Sequence, residues 1–199
     1  MPAPRTSEAT SRLRADLIGH ARTIVRRDGA SALTMRALAR EAKCSVGLPY
    51  RVFADREEIV LEVAALELED LARAFAAWLD DSANHTVATN LDRYAAILLD
   101  SPTPALMHTE MLDGSEIGPR VQAAARDSDF LGALGRSATE YIRLEHERGR
   151  IRADIDAEAF GFLITGAVHN LVAAGPGYPR PTRAELTVLL DRIARTIAA

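Results

Sequence analysis

Between Leu33 and Ile59 the chain reads LTMRALAREAKCSVGLPYRVFADREEI, a stretch that carries hydroxyl, guanidinium and phenol groups at helical spacing. Such groups bind phosphate oxygens and base edges. The stretch divides into a helix, a tight turn, a second helix, and a third helix opening at a capping acid. That is the layout of a helix-turn-helix DNA reader. Residues 61–199 lie beyond it. A reader with so large a remainder suggests a regulator, one part holding DNA and the other deciding when.

The elements that must position those groups are helical throughout. A first helix over Ser11–Asp28 carries Leu13, Leu17, Ala21, Ile24 and Val25 on one stripe, and Gly29 fits the place just past its end. Thr34 is placed to cap the second helix, with Leu38, Ala39 and Ala42 facing inward. Lys43-Cys44-Ser45 is the turn, and a short third helix spans about Val46–Phe53. Asp55 with Glu58 three residues on is a capping box for a fourth helix that continues to about Asp80.

Beyond it, helices are expected near Thr86–Leu99, with Val87, Leu91, Tyr94 and Leu98 on one side, and near Ala105–Leu112. A longer helix should run to Arg148 and end at Gly149. Asp156 caps the next, with Ile155 and Phe160 spaced as a hydrophobic staple. That helix, AFGFLITGAVHNLVAA, is apolar on nearly every side and should be buried on more than one face. Thr182 and Glu185 form a second capping box, opening a last helix with Leu186, Leu189, Leu190, Ile193 and Ile197 on one stripe. The expected fold is all-α: a three-helix head over residues 1–56 and a helical bundle over 57–199 for regulation and dimerisation.

Charge supports the division of labour. The whole chain carries a net charge of −4, yet residues 1–60 hold 11 Lys/Arg against 7 Asp/Glu, and residues 61–199 hold 13 against 21. The electrostatic footprint for phosphate is confined to the first third. With 48% apolar residues the chain is no disordered tract, and no membrane span or signal peptide is visible, so a cytoplasmic protein is expected. One cysteine, Cys44, excludes an internal disulfide; it is a small apolar filler of the turn, or a thiol whose pKa Lys43 and Arg40 lower. Enzyme chemistry has no signature: no glycine-rich phosphate loop, no serine elbow, no Cys/His ligand spacing and no His-Glu-x-x-His. His108, Glu110 and Asp113 form at most a loose cluster that a solvated helix face explains equally, so no metal, cofactor or catalytic residue is expected.

Leu33-Thr34-Met35-Arg36, Leu38-Ala39, Ala42, Ser45, Gly47, Tyr50, Phe53 and Asp55-Arg56-Glu57 together resemble the tetracycline-repressor (TetR) family over residues 11–62. The resemblance implies a homodimeric, ligand-responsive transcriptional repressor. Thr34 and Arg36 begin the second helix, where a backbone N–H and a cation meet phosphate. Ser45, Val46, Gly47 and Leu48 open the third helix: Gly47 allows close backbone approach, and Val46 and Leu48 offer apolar contact to a thymine methyl. Tyr50 matches the family's phosphate-binding tyrosine, or is ordinary helix packing. Arg51 is the candidate base reader, able to hold guanine O6 and N7 with two bonds, or a phosphate contact. Arg56 stands where the family has a lysine that grips phosphate. Pro49 departs from the family's plain apolar residue; it is tolerated in a first helical turn and shifts which side chains reach the bases.

An effector pocket is implied inside the body, with Trp78, Tyr94, Met107, His108, Met111, Asp113, Phe130, Tyr141, His169 and Asn170 as candidate liners. His169 and Asn170 interrupt an apolar helix, and buried polar groups need partners, whether a ligand, a water or a second subunit. A hydrophobic small molecule would suit such a pocket. The excess apolar surface of the last two helices calls for a symmetric four-helix dimer interface built from Phe160, Gly161, Ile164, Ala167, Val168, Leu171, Leu186, Leu189, Leu190, Ile193 and Ile197. A dimer would read a palindromic operator from successive major grooves. The competing reading is a ligand-independent DNA-binding repressor or activator whose body has no pocket.

Overall fold

A computed structural model describes residues 7–101, 119, 120, 123, 130–173 and 180–199. Among them are eight α-helices: α1 Ser7–Asp28, α2 Met35–Glu41, α3 Gly47–Val52, α4 Arg56–Asp81, α5 Val87–Leu99, α6 Phe130–Glu147, α7 Ala157–Ala173 and α8 Arg183–Ile197. Extended pairing among the described residues is one isolated bridge, Ile151 with Ala198, so the fold is all-α. The helix expected near Ala105–Leu112 lies outside the described residues, as do residues 174–179.

The described residues fall into two compact units, one within 1–67 and 105–125 and one within 68–104 and 126–199. In the first, α1 buries Leu17, Ile18, Ala21, Ile24 and Val25, a spacing that lays one stripe along a helix. Leu33, Leu38, Phe53, Ile59 and Val63 close this core. Its helix ends follow local chemistry. Gly29, at φ 85°, turns the chain out of α1. Thr34 Oγ1 accepts the amide of Ala37 at 3.0 Å. Asp55 Oδ1 accepts the amide of Glu58 at 2.8 Å, while Glu58 reaches back to the amide of Ala54 at 2.7 Å, one residue earlier than a reciprocal box would use. Cys44 is half-buried and packs against the core, as a filler does.

In the second unit α6 packs along α7, and α5 against α8 and α7. A Cβ on Gly161 of α7 would sit 2.8 Å from the backbone of Thr139 on α6, so these helices cross at main-chain contact. Rings fill the interior: Phe75 and Trp78 of α4 lie 5.0 and 5.1 Å from Tyr94, and Trp78 lies 4.9 Å from Tyr141. The indole N–H of Trp78 donates to the carbonyl of Asn90 at 2.9 Å. The buried carboxylate of Glu145 accepts Arg148 and Arg150 at 2.8 and 2.6 Å. At α8 the expected capping box is complete, Thr182 and Glu185 satisfying each other's backbone amides.

The apolar helix α7 departs from its expected burial. Its inner side is covered, but Phe162 and Leu163 are 77% and 59% exposed, and Gly166 and Ala167 share that open side. These positions, two adjacent pairs four residues apart, form one helix face. Uniform apolar composition does not tell a helix buried all round from one whose second face awaits a partner.

Candidate nucleic-acid interface

Helix α3 is only six residues long, and its inner side is fixed by burial of Pro49 within it and of Phe53 just after it. Pro49 occupies the third helical position, where its missing N–H costs no intrahelical bond, and its carbonyl accepts the amide of Phe53 at 2.9 Å. The first helical residue is Gly47, one residue after the expected start near Val46. Val46, Gly47, Tyr50 and Arg51 then share the outward face, in pairs four residues apart. Val46 and Tyr50 are 46% and 58% exposed, unusual for large apolar side chains, and Leu48 is half-buried. Ser45 is exposed in the turn, whose sharpness needs the left-handed Lys43, at φ 49°.

Most cations of this unit are engaged within it. Arg12 pairs with Glu8 at 2.5 Å, and Arg22 and Arg26 reach the buried Glu67 at 2.7 and 3.2 Å. Arg27 pairs with Asp28 and Glu41 at 2.9 and 3.0 Å, which lowers both carboxyls below their usual range. Arg56 donates to the carbonyls of Leu33 and Ala30 at 2.7 and 3.1 Å. The side chain expected to grip phosphate therefore ties the head's own loop to the start of α4. By contrast, Arg36, Arg40, Lys43 and Arg51 are exposed and make no ion pair among the described residues. Arg36 and Arg40 lie four residues apart on the exposed side of α2, whose opposite side buries Met35, Leu38 and Ala39, and Lys43 follows in the turn just past its end. Thr34 is exposed at the head of α2. Sequence reasoning did not single out Arg40 or Lys43, although the i,i+4 spacing of Arg40 from Arg36 is visible in the sequence.

In the other unit, Trp78, Tyr94 and Tyr141 are almost wholly buried against one another. Burial raises both phenols above their usual range, Tyr94 to about 12. His169 and Asn170 are exposed, so the burial that made them candidates is absent. Met107, His108, Met111, Asp113 and the Phe130 side chain lie outside the described residues. A groove of 530 Å³ runs between α4 and α6, with Ala72, Phe75 and Leu79 on one wall and Ser137, Thr139, Glu140 and Arg143 on the other. Its volume is in the range of small-molecule sites.

Of the residues expected at a dimer surface, Gly161, Val168, Leu186, Leu190 and Ile197 are buried inside the unit, and Phe160, Ile164 and Leu171 are partly covered. Ala167, Leu189 and Ile193 remain open, joined by Phe162, Leu163 and Val188, which the stripe counted from sequence left out. No helix among the described residues is long and apolar enough to cross a membrane.

Comparison with known proteins fits this geometry. Residues 17–63 match the family model described as bacterial regulatory proteins, tetR family. Similar solved structures include a TetR-family transcriptional regulator from Mesorhizobium loti, 19% identical, covering 94% of this chain and 95% of that one with a TM-score of 0.66. Another from Pectobacterium atrosepticum is 20% identical, with 98% of each chain covered and a TM-score of 0.62. A third, from Cytophaga hutchinsonii, is 13% identical, covers 98% and 99%, and has a TM-score of 0.68. At such identities the likeness establishes the fold. No curated protein matches the chain.

Proposed function

We propose that this chain, whose residues 17–63 carry the tetR-family regulatory domain on a fold shared with TetR-family transcriptional regulators, acts in the cytoplasm as a homodimeric repressor of a palindromic operator, released by a small molecule. One observation carries the DNA-binding reading. Among the described cations of the head, those without ion pairs lie exposed on α2, in the turn after it and on α3, the last beside Tyr50 and the small Gly47. On this reading Arg36, Arg40 and Lys43 face phosphates, α3 enters the major groove, and Arg51 reads a base. Thr34, Ser45, Val46, Leu48 and Tyr50 complete the contact, with Arg56 as its internal brace.

The open apolar faces of α7 and α8 support the dimer. The groove between α4 and α6 supports an effector with an apolar body, lying along Phe75 and Leu79, and a polar end toward Ser137 and Thr139. Helix α4 runs unbroken from Arg56 to Asp81 and would carry the displacement. The effector must bind the form released from DNA more tightly than the form on DNA, or it shifts nothing. Equal effector affinity with and without operator would defeat this mechanism.

The deciding experiment is selection of bound DNA from a random duplex library at near-physiological salt. An enriched palindrome is expected; no enrichment by a folded protein would defeat the reading. A ligand-independent repressor is the second reading, favoured by the rings that fill the body's interior. A thermal-shift screen of small metabolites separates the two: a stabilising compound that also releases the selected duplex supports the effector, and a negative screen supports the second reading.

A further inference from the structure

We propose that Arg14, on α1, is a positioning residue that sets the orientation of the reading helix α3, an inference that rests on the DNA-binding reading above. Its guanidinium Nη1 donates to the carbonyl of Val52, the last residue of α3, at 3.2 Å. Nη2 donates to Glu58 at 2.6 Å and Nε to Glu62 at 2.9 Å, both on α4. The same group lies 4.6 Å from the ring centroid of Phe53, within cation–π range. The second oxygen of Glu58 takes the amide of Ala54, so the link between α3 and α4 is held from both sides.

The physical need is plain. A six-residue helix is too short to hold its own direction. Its last carbonyls have no intrahelical donors, and a cation beside them also meets the negative end of the helix dipole. Arg14 supplies both, and its fork engages α3 and α4 at once. Lysine, a point charge, cannot reproduce that. Base reading depends on side chains held within a fraction of an ångström by their supporting residues. Arg14 reaches no base on this account; it places Tyr50 and Arg51.

The test measures binding of full-length wild-type protein and of Arg14→Ala, Arg14→Lys and the double variant Glu58→Gln with Glu62→Gln. The probes are the selected duplex and a scrambled duplex over a range of salt, at a temperature where each variant keeps wild-type helicity. The expected result is a loss of about tenfold or more on the selected duplex for all three variants, the scale of one lost base contact. Scrambled binding and the salt slope should stay unchanged. If Arg14 instead gripped phosphate, Arg14→Ala would lower the salt slope, Arg14→Lys would keep it, and freeing Arg14 from its acids would tighten both duplexes; that pattern overturns the proposal. Unchanged selectivity in folded variants also overturns it, leaving Arg14 a stabilising residue only. Should Arg14→Ala fail to fold, the lysine and glutamine variants decide. Absence of selectivity in the wild type overturns the DNA-binding reading and this inference together, whereas selectivity in wild type and variants alike overturns this inference alone.

Discussion

The two units share one anomaly, large apolar side chains in water, and resolve it differently. In the head, exposed Val46 just before α3 and exposed Tyr50 on it stand near Arg51, with the unpaired cations of α2 in the same unit. In the body, Phe162 and Leu163 stand on a face completed by Gly166 and Ala167, with no charged residue between positions 159 and 171. Val188, Leu189 and Ile193 also stand out from α8, there with the exposed Arg192 among them, so the charge-free face is that of α7. Apolar groups among cations suit a partner that is charged outside and carries methyl groups in its groove. An apolar face without charge suits a copy of itself. Exposed hydrophobicity means little until the surrounding charge is counted.

The largest expected difference between the units lies in their buried acids, Glu67 in the head and Glu145 in the body. Glu145 is fully covered, and its arginines are about seven-tenths covered. Glu67 is as deeply placed, but its second arginine, Arg26, is half in water. Removing one partner of a buried pair costs roughly 3–5 kcal/mol. Glu145→Ala should fall near the lower end of that range and Glu67→Ala clearly below it, because solvent takes up part of a stranded guanidinium. Trp78, the sole tryptophan, belongs to the body, so its fluorescence melt should drop strongly for Glu145→Ala and little for Glu67→Ala. Equal drops would mean that the two units unfold as one.

Next in size is the paired substitution Phe162→Asp with Leu163→Asp. Two like charges placed on a self-contacting face meet their own copies, and the dimer constant should weaken by about a hundredfold. Sedimentation should show the monomer mass with helicity retained, and affinity for a palindrome should fall because the second half-site no longer binds intramolecularly. A variant that stays dimeric places the interface elsewhere.

The fold was legible because capping residues and apolar period act locally. Thr34, Asp55, Asp156 and Thr182 each accept the backbone amide expected of a helix start, and α4 ends within one residue of its expected limit. The head's outward face was also legible, since α3 and the turn have few ways to present Gly47 and Tyr50. What escaped were decisions made by distant partners. Arg56 carries the charge for phosphate, but carbonyls 23 and 26 residues earlier engage it. Nothing in the sequence singles out Arg14, because its acids lie 44 and 48 residues away. Gly161 was read as room for a second subunit, whereas Thr139 of the same chain fills that room. Trp78, Tyr94 and Tyr141 have the right chemistry for a pocket, and only packing shows them filling the space themselves.

Within the head, reading and gripping separate in smaller effects. Arg51→Ala should change base preference at one position per half-site, at about 1–3 kcal/mol, while leaving other positions alone. Arg36→Ala should weaken selected and scrambled duplexes alike and reduce the salt slope by about one for each arginine removed. Repeating the duplex selection with each variant distinguishes them. Identical behaviour would mean that α2 and α3 do not divide the work.

The smallest effect returns to both units through acid. In the head, the Ala54 amide and then Arg14 hold the Glu58 carboxyl below its usual range. In the body, hydrogen bonds from Asn84, His85 and Arg93 hold Asp81 at about 2. A carboxyl lowered on folding adds stability that is fully present above its unfolded value, roughly 4. That stability drains as pH falls from there toward the folded value. Both groups are more than a third exposed, so solvent screening keeps each contribution modest. Melting temperature should therefore decline from about pH 4.5 down to about pH 2. Asp81→Asn should flatten the Trp78-detected part of that decline, and Glu58→Gln should leave it as it was. If Glu58→Gln flattened the body's acid limb as much as Asp81→Asn, the two units would be sharing one titration, and the contrast drawn between a self-braced head and a partner-seeking body would fail at its base.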